Sequence, residues 1–123
     1  MTSQFQITQA LMSVLEKSND ASVIFTSSGV GRLGKAFWGA YGVSKFAIEG
    51  LVQTWASEQE GLGSVRLNAI NPGATKTNMR ADAFPAEDPS ILSTAEDIMP
   101  AYLFLLGPDS MNVNGQSIDA QAR

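Results

Sequence analysis

The stretch ASVIFTSSGVGRLGKAFWGAYGVSKFAIEGL, residues 21–51, decides how this chain reads. It opens on an apolar run, Ala21 to Ser27, with the character of a buried strand, and continues through a glycine-rich loop. From about Trp38 to Glu60 the apolar residues Ile48, Leu51, Val52 and Trp55 recur on one side of a helix, which Gly61-Leu62-Gly63 stops. Ser28 closes the strand, Tyr41 follows thirteen residues later, and Lys45 stands four residues beyond Tyr41, on the same helical face.

That grouping has a chemical meaning. A free phenol has a pKa near ~10, so it is a poor base at neutral pH until a cation stabilises its phenolate. Lys45 supplies that cation, and a phenol lowered in this way suits general acid–base work on an alcohol or carbonyl oxygen, which the Ser28 hydroxyl would hold. A Tyr and a Lys four apart are also a common pair on any helix surface, half-buried ring beside solvated ammonium. The rest of the chain decides between the two.

Outward from this stretch, Val65 to Asn71 forms the next strand. A strand–helix–strand order with so long a connection implies parallel pairing and a right-handed crossover. Both strands then end at the edge where open α/β sheets bind ligands, so Ser28 and the loop Asn71-Pro72-Gly73-Ala74-Thr75-Lys76-Thr77 fall at one site. Residues 74–93 read as a long polar connection of the kind that serves as a substrate lid. Thr94 and Asp97 have cap spacing, but Pro100 would then lie beyond the first helical turn, so either Asp97 is the cap or the helix kinks. Gln116 to Asp119 reads as a short edge strand. On the N-terminal side, Ile7, Leu11, Val14 and Leu15 mark an amphipathic helix over about 4–17, ended by Ser18-Asn19-Asp20, whose stripe is a core or an interface face.

Composition narrows the chemistry. The chain has 123 residues, 44% of them hydrophobic, enough for one domain that buries roughly two-thirds of its unfolded surface. A net charge of −4 without a basic run argues against nucleic acid or an anionic membrane as partner. With neither cysteine nor histidine, disulfides, thiolate chemistry, a Ser-His-Asp triad and a zinc or iron site are all disfavoured, so no metal is expected. Asp82, Glu87 and Asp88 read as a solvated acidic loop. No apolar run approaches the ~20 residues of a membrane span, no signal peptide is legible, and a cytoplasmic location is expected. There is no repeat and no internal boundary.

One motif misleads. Gly29-Val30-Gly31-Arg32-Leu33-Gly34 matches the dinucleotide fingerprint GxGxxG, but the helix does not begin at its third glycine. The following strand, VRLNAIN, carries no acid at its end to hold a ribose, as one about 20 residues on would. The glycines read instead as a flexible loop between Ser28 and Tyr41. Ser27 competes with Ser28 for its role, Ser44 reads as a helix-face residue, and Phe37 and Trp38 either line a pocket or simply pack.

Taken together, TSSGVG, YGVSK and RLNAINPGATKTNM resemble the short-chain dehydrogenase/reductase family in order and spacing, and AFPAEDP, AEDIMPAYLFLLG and SIDAQ are similar to its bacterial YciK-type branch. The resemblance implies an α/β fold, the C-terminal half of a doubly wound Rossmann-type parallel sheet of about three strands with flanking helices, over residues 1–123. The family's Gly-rich nucleotide turn and catalytic Asn have no counterpart, the Asn falling just ahead of Met1. Paired glycines that usually follow the last acid are replaced by Ala120-Gln121-Ala122.

The resemblance further implies an NAD- or NADP-dependent oxidoreductase that interconverts a small carbonyl and a secondary alcohol. Tyr41 would be the proton donor or acceptor. Lys45 would lower its pKa and bond the nicotinamide ribose, and Ser28 would orient the carbonyl. Pro72 and Gly73 would run beside the nicotinamide, Thr75 would meet its carboxamide and Thr77 the pyrophosphate. It implies a homo-oligomer paired through the helices at 4–17 and 38–60. The alternative is a truncated, non-catalytic fragment that acts as an assembly or dimerisation module.

Overall fold

The strand VRLNAIN is buried along its length because it is the middle of the sheet. The computed structural model describes residues 1–122; Arg123 lies outside them. In it, β1 (Ala21–Thr26), β2 (Val65–Asn71) and β3 (Ser117–Asp119) form a parallel sheet in the order β1-β2-β3. Register runs from Ala21 opposite Val65 to Thr26 opposite Ile70, and from Ala69 opposite Ser117 to Asn71 opposite Asp119. A central strand with both faces covered has no solvent side, and so shows a run of buried residues in place of alternation.

Two layers cover the sheet. Ala21, Phe25, Val65, Leu67 and Ala69 project toward α2 (Gly39–Gln59) and meet Ile48, Val52, Trp55 and Ala56, with Met12 and Leu15 of α1 (Thr2–Leu15) packed at the margin. On the opposite face the C-terminal end of α4 (Met99–Leu106) is fastened by Ser22, whose hydroxyl donates to the Leu105 carbonyl at 2.6 Å. Arg66 reaches the same end, donating to the Gly107 carbonyl at 2.8 Å and pairing with Asp20. Burial pushes the Arg66 guanidinium pKa down, because desolvation disfavours the charged form.

Asn68, buried in mid-strand, is satisfied on both sides. Its amide donates to the Val113 carbonyl at 2.8 Å and its oxygen accepts from Gln116 N–H at 2.9 Å. Asn114 spans from the Leu67 N–H, at 2.9 Å, to the Ala56 carbonyl, at 3.0 Å, and so ties β2 to α2. These amides act as rungs where the short β3 leaves the ladder incomplete.

Of the α1 stripe, Leu15 packs on the core beside Met12, while Ile7 and Val14 are 60% and 63% exposed and Leu11 is exposed too, which leaves the face free of the core. Two expectations need correction. The connection 74–93 is not structureless. It contains α3 (Asn78–Ala83) and a 3-10 turn at Pro89–Ile91, each begun by a side-chain cap, from Thr77 and Asp88 respectively. Thr94 and Asp97 do bond reciprocally, Thr94 N–H to the Asp97 carboxylate at 2.8 Å and Asp97 N–H to the Thr94 hydroxyl at 3.3 Å. They close a separate turn, however, and α4 starts only at Met99, which leaves Pro100 in the first turn where its missing N–H costs nothing. Among the described residues no helix is long and apolar enough to cross a membrane.

Candidate active site

Beyond β1 the chain stays extended through Ser28 and then tightens into a 3-10 turn at Gly29–Gly31, the Gly31 N–H donating to the Ser28 carbonyl at 2.9 Å. Gly31 lies so close to α2 that a Cβ there would stand 2.8 Å from the Lys45 carbonyl carbon and oxygen. That contact, open only to glycine, seats the Ser28 loop on the helix at the level of Lys45. The GxGxxG match is thus a packing device, and α2 does not begin until Gly39.

Lys45 extends back to the sheet. Its ammonium donates to the Thr26 carbonyl at 3.0 Å and lies 5.5 Å from the centre of the Tyr41 ring. Tyr41 is 43% exposed, its ring centre 5.6 Å from that of Trp38, and Trp38 in turn stands 6.4 Å from Phe84 just past α3. An aromatic row therefore connects the lid segment to the phenol. Phe37, by contrast, is fully exposed at a φ of 70°. Ser44 donates to the Tyr41 carbonyl at 2.7 Å, a helix-face contact as its position predicts.

The second loop arrives from β2. A Cβ on Gly29 would be 3.9 Å from the Asn71 side-chain nitrogen, so the loops after β1 and β2 adjoin. Asn71 turns the chain, its oxygen accepting from Gly73 N–H at 3.1 Å, and Gly73 takes a φ of 73°, a left-handed conformation that disfavours other residues. The Thr75 hydroxyl gives its proton to the Gly73 carbonyl at 3.2 Å, which leaves its oxygen free to accept from an amide. The Thr77 hydroxyl accepts from Arg80 N–H at 3.1 Å as the cap of α3, and keeps a proton to donate to an anion.

Beneath both loops lies a polar network not foreseen from the sequence. Glu49, 7% exposed and one turn beyond Lys45, accepts from the Ser27 hydroxyl and, at 2.9 Å, from the Ser117 hydroxyl. Arg32 donates to Ser117 at 2.7 Å and to Asp119 at 2.7 Å, and its Nε is 3.4 Å from the Glu49 carboxylate. Asp119 also accepts from Asn71 at 3.0 Å. The network joins the base of the Ser28 loop, α2, β3 and the Asn71 turn into one rigid footing. In it the Ser27 hydroxyl is buried and donates to Glu49.

In the segment 74–93, Arg80 holds Glu87 through two bonds of 2.7 and 2.9 Å and lies over the Phe84 ring at 3.8 Å. The guanidinium keeps the Glu87 carboxyl below the usual carboxylate range. A small cavity of about 140 Å³ is lined by Lys76, Thr77, Arg80, Phe84, Glu87 and Leu92. Glu87 and Asp88 are therefore used in a pair and a cap, and among the described residues no cluster of acids is arranged to hold a metal.

The sequence profile of the short chain dehydrogenase family matches residues 1–88. The chain belongs to the short-chain dehydrogenase family. Of other short-chain dehydrogenases, the oxidoreductase YciK of Escherichia coli K12 is 55% identical over 117 residues, which cover 95% of this chain and 46% of that one. A short chain dehydrogenase from Pseudomonas syringae superposes with a TM-score of 0.95 at 59% identity, covering 98% of this chain and 49% of that one. One from Escherichia coli CFT073, solved complexed with NADPH, gives 0.95 at 52% identity, covering 99% of this chain and 50% of that one. The chain thus spans about half the length of the relatives it matches.

Proposed function

We propose that these residues are the C-terminal half of a doubly wound domain and supply the proton-transfer side of an NAD(P)-dependent carbonyl–alcohol oxidoreductase. The observation that carries the reading is the Lys45 ammonium, anchored on the Thr26 carbonyl beside the Tyr41 ring. In the reductive direction the Tyr41 hydroxyl gives its proton to the carbonyl oxygen of a small aldehyde or ketone, and the Lys45 charge stabilises the phenolate left behind. Ser28 donates a hydrogen bond to the same oxygen. In the oxidative direction the phenolate takes the proton back.

A nicotinamide bound here would supply or receive the hydride at the carbonyl carbon. Tyr41 and Lys45 would hold its ribose, Pro72 and Gly73 would leave room beside its ring, Thr75 would accept from its carboxamide, and Thr77 would donate to its pyrophosphate. The free lone pairs on Thr75 and the free proton on Thr77 support that division of roles, and the NADPH-bound relative supports the phosphorylated form of the cofactor.

Copies of the chain pair through α1 and α2 in this reading. Ile7, Leu11 and Val14 on the first helix and Val43 and Phe46 on the second are exposed apolar groups that such pairing would cover. Sedimentation analysis that finds only monomer would remove this part.

Titration of NADPH into the purified, cooperatively melting chain tests the whole. Saturable binding that Lys45→Ala weakens is expected. A folded chain that binds no nucleotide overturns the reading for this polypeptide.

A further inference from the structure

We infer that Gln121 is a positioning residue for this site, the clasp that closes the base of the lid and fixes the peptide planes around Gly73; its bearing on cofactor binding rests on the function proposed above. Gln121 stands two residues past β3, and its side-chain amide is fully used. Its Nε2 donates to the Pro72 carbonyl at 2.8 Å and to the Ala74 carbonyl at 2.9 Å, and its Oε1 accepts from the Ser93 hydroxyl at 3.0 Å. One side chain thereby holds both ends of the segment 74–93.

Those ends also meet directly. Thr75 and Ser93 form a parallel bridge, and Lys76 N–H donates to the Ser93 carbonyl at 2.8 Å. The amide lies flat against Gly73, where a Cβ would stand 2.9 Å from Gln121 Nε2. Counting along the loop, the Pro72 carbonyl is held by Gln121, the Gly73 N–H by Asn71, the Gly73 carbonyl by Thr75 and the Ala74 carbonyl by Gln121. Gln121 therefore supplies two of the four restraints on this turn, and among the described residues it alone couples the turn to the far end of the segment through a side chain. A turn so restrained presents Thr75 and Thr77 at fixed positions and lets the lid move as a unit about a closed base.

The amide chemistry makes this specific. Two donors and one acceptor are needed at once, and only a carboxamide offers both. A carboxylate at the same position has no proton to donate and would face two carbonyl oxygens, whereas its protonated form regains one donor.

Hydrogen–deuterium exchange on the full chain, without nucleotide, reads the clasp. Gln121→Ala is expected to speed exchange in 74–93 by about tenfold, the worth of a net hydrogen bond or two, while β1, β2 and α2 keep theirs. Gln121→Glu should differ from wild type as the alanine variant does at neutral pH, and that difference, taken against wild type at each pH because the Arg80–Glu87 pair also weakens in acid, should narrow as pH falls toward the carboxyl range, about 4 to 5. Unaltered exchange in Gln121→Ala, acceleration spread over the whole chain, or a Gln121→Glu difference without pH dependence would each overturn the proposal. A parallel NADPH titration separates the two readings: wild type that binds no nucleotide counts against the proposed function and leaves the exchange contrast standing, whereas wild type that binds while Gln121→Ala binds equally well counts against Gln121.

Discussion

The Lys45 ammonium donates to the Thr26 carbonyl at 3.0 Å, so the last residue of β1 determines where the positive charge of α2 stands. A lysine free at a helix surface spreads its charge over many rotamers. One tethered to the sheet end holds it beside the Tyr41 ring and immediately before the Ser28 loop. Charge placement here is a property of the strand–helix junction and not of the Tyr–Lys spacing alone.

Replacing Tyr41 by Phe keeps the ring and its contact with Trp38 while removing the proton. On the function proposed above, the expected outcome is a loss of any nicotinamide-dependent carbonyl reduction by about 10²- to 10⁴-fold, the usual worth of a general acid, with the thermal melt unchanged. Lys45→Ala, which removes the charge beside the ring, should lower the same rate. Rates that neither variant alters would remove both residues from the proton path.

Gly31→Ala tests the seating of the Ser28 loop. The new methyl would meet the Lys45 backbone at 2.8 Å, and rigid backbone cannot yield as a side-chain tip can. Overpacking of this kind costs about 1–3 kcal/mol, so the melting temperature should fall and activity with it. Gly34→Ala, where nothing lies within 4 Å, serves as the control and should leave the melt near wild type. Equal melts for the two variants would refute the close approach.

Much of this site was legible in the sequence because it is built from local signals: a strand that ends at a serine, a helix period, a Pro-Gly turn. The parts that were not legible share a physical cause. Arg32 and Asp119 are 87 positions apart, and no pattern along the chain announces that they meet. Glu49 could have been noticed as an acid on the inward side of α2, since a carboxylate there requires partners. The stripe of α1 shows the converse limit. Ile7, Leu11 and Val14 do share a helical face, but spacing fixes which residues share a face and says nothing of what covers it. Thr77 was read only as a ligand to phosphate because a six-residue helix is too short to leave a period, and its cap therefore went unseen.

The lid should loosen in acid. Arg80 holds the Glu87 carboxyl below its ordinary value, so Glu87 binds a proton more readily in the unfolded or opened chain than in the folded one. The stabilisation is therefore complete above the ordinary Glu range, about 4.3, and is lost as pH falls through the depressed folded value. Exchange in 74–93 should accelerate over that window, before the core strands respond, and Glu87→Gln should show the faster rate already at neutral pH. Exchange that is flat across the window in wild type would show that the pair contributes nothing to the lid.

Glu49→Ala probes the footing. The substitution leaves the Ser27 and Ser117 hydroxyls without their common acceptor and Arg32 with Asp119 as its remaining carboxylate. An unsatisfied buried group such as the Ser27 hydroxyl costs about 1–3 kcal/mol; Ser117 is exposed and Arg32 a quarter exposed, so both recover their loss largely from water, and a total toward the lower end of that range is expected in chemical denaturation. Glu49→Gln keeps an oxygen that can accept from one hydroxyl and should recover a part of the difference. Because Ser27 is the residue before Ser28, the alanine variant should also displace the Ser28 loop and, on the function proposed above, weaken NADPH binding or turnover more than its stability loss accounts for, whereas a variant destabilised but otherwise unchanged at low temperature would assign Glu49 to the fold alone.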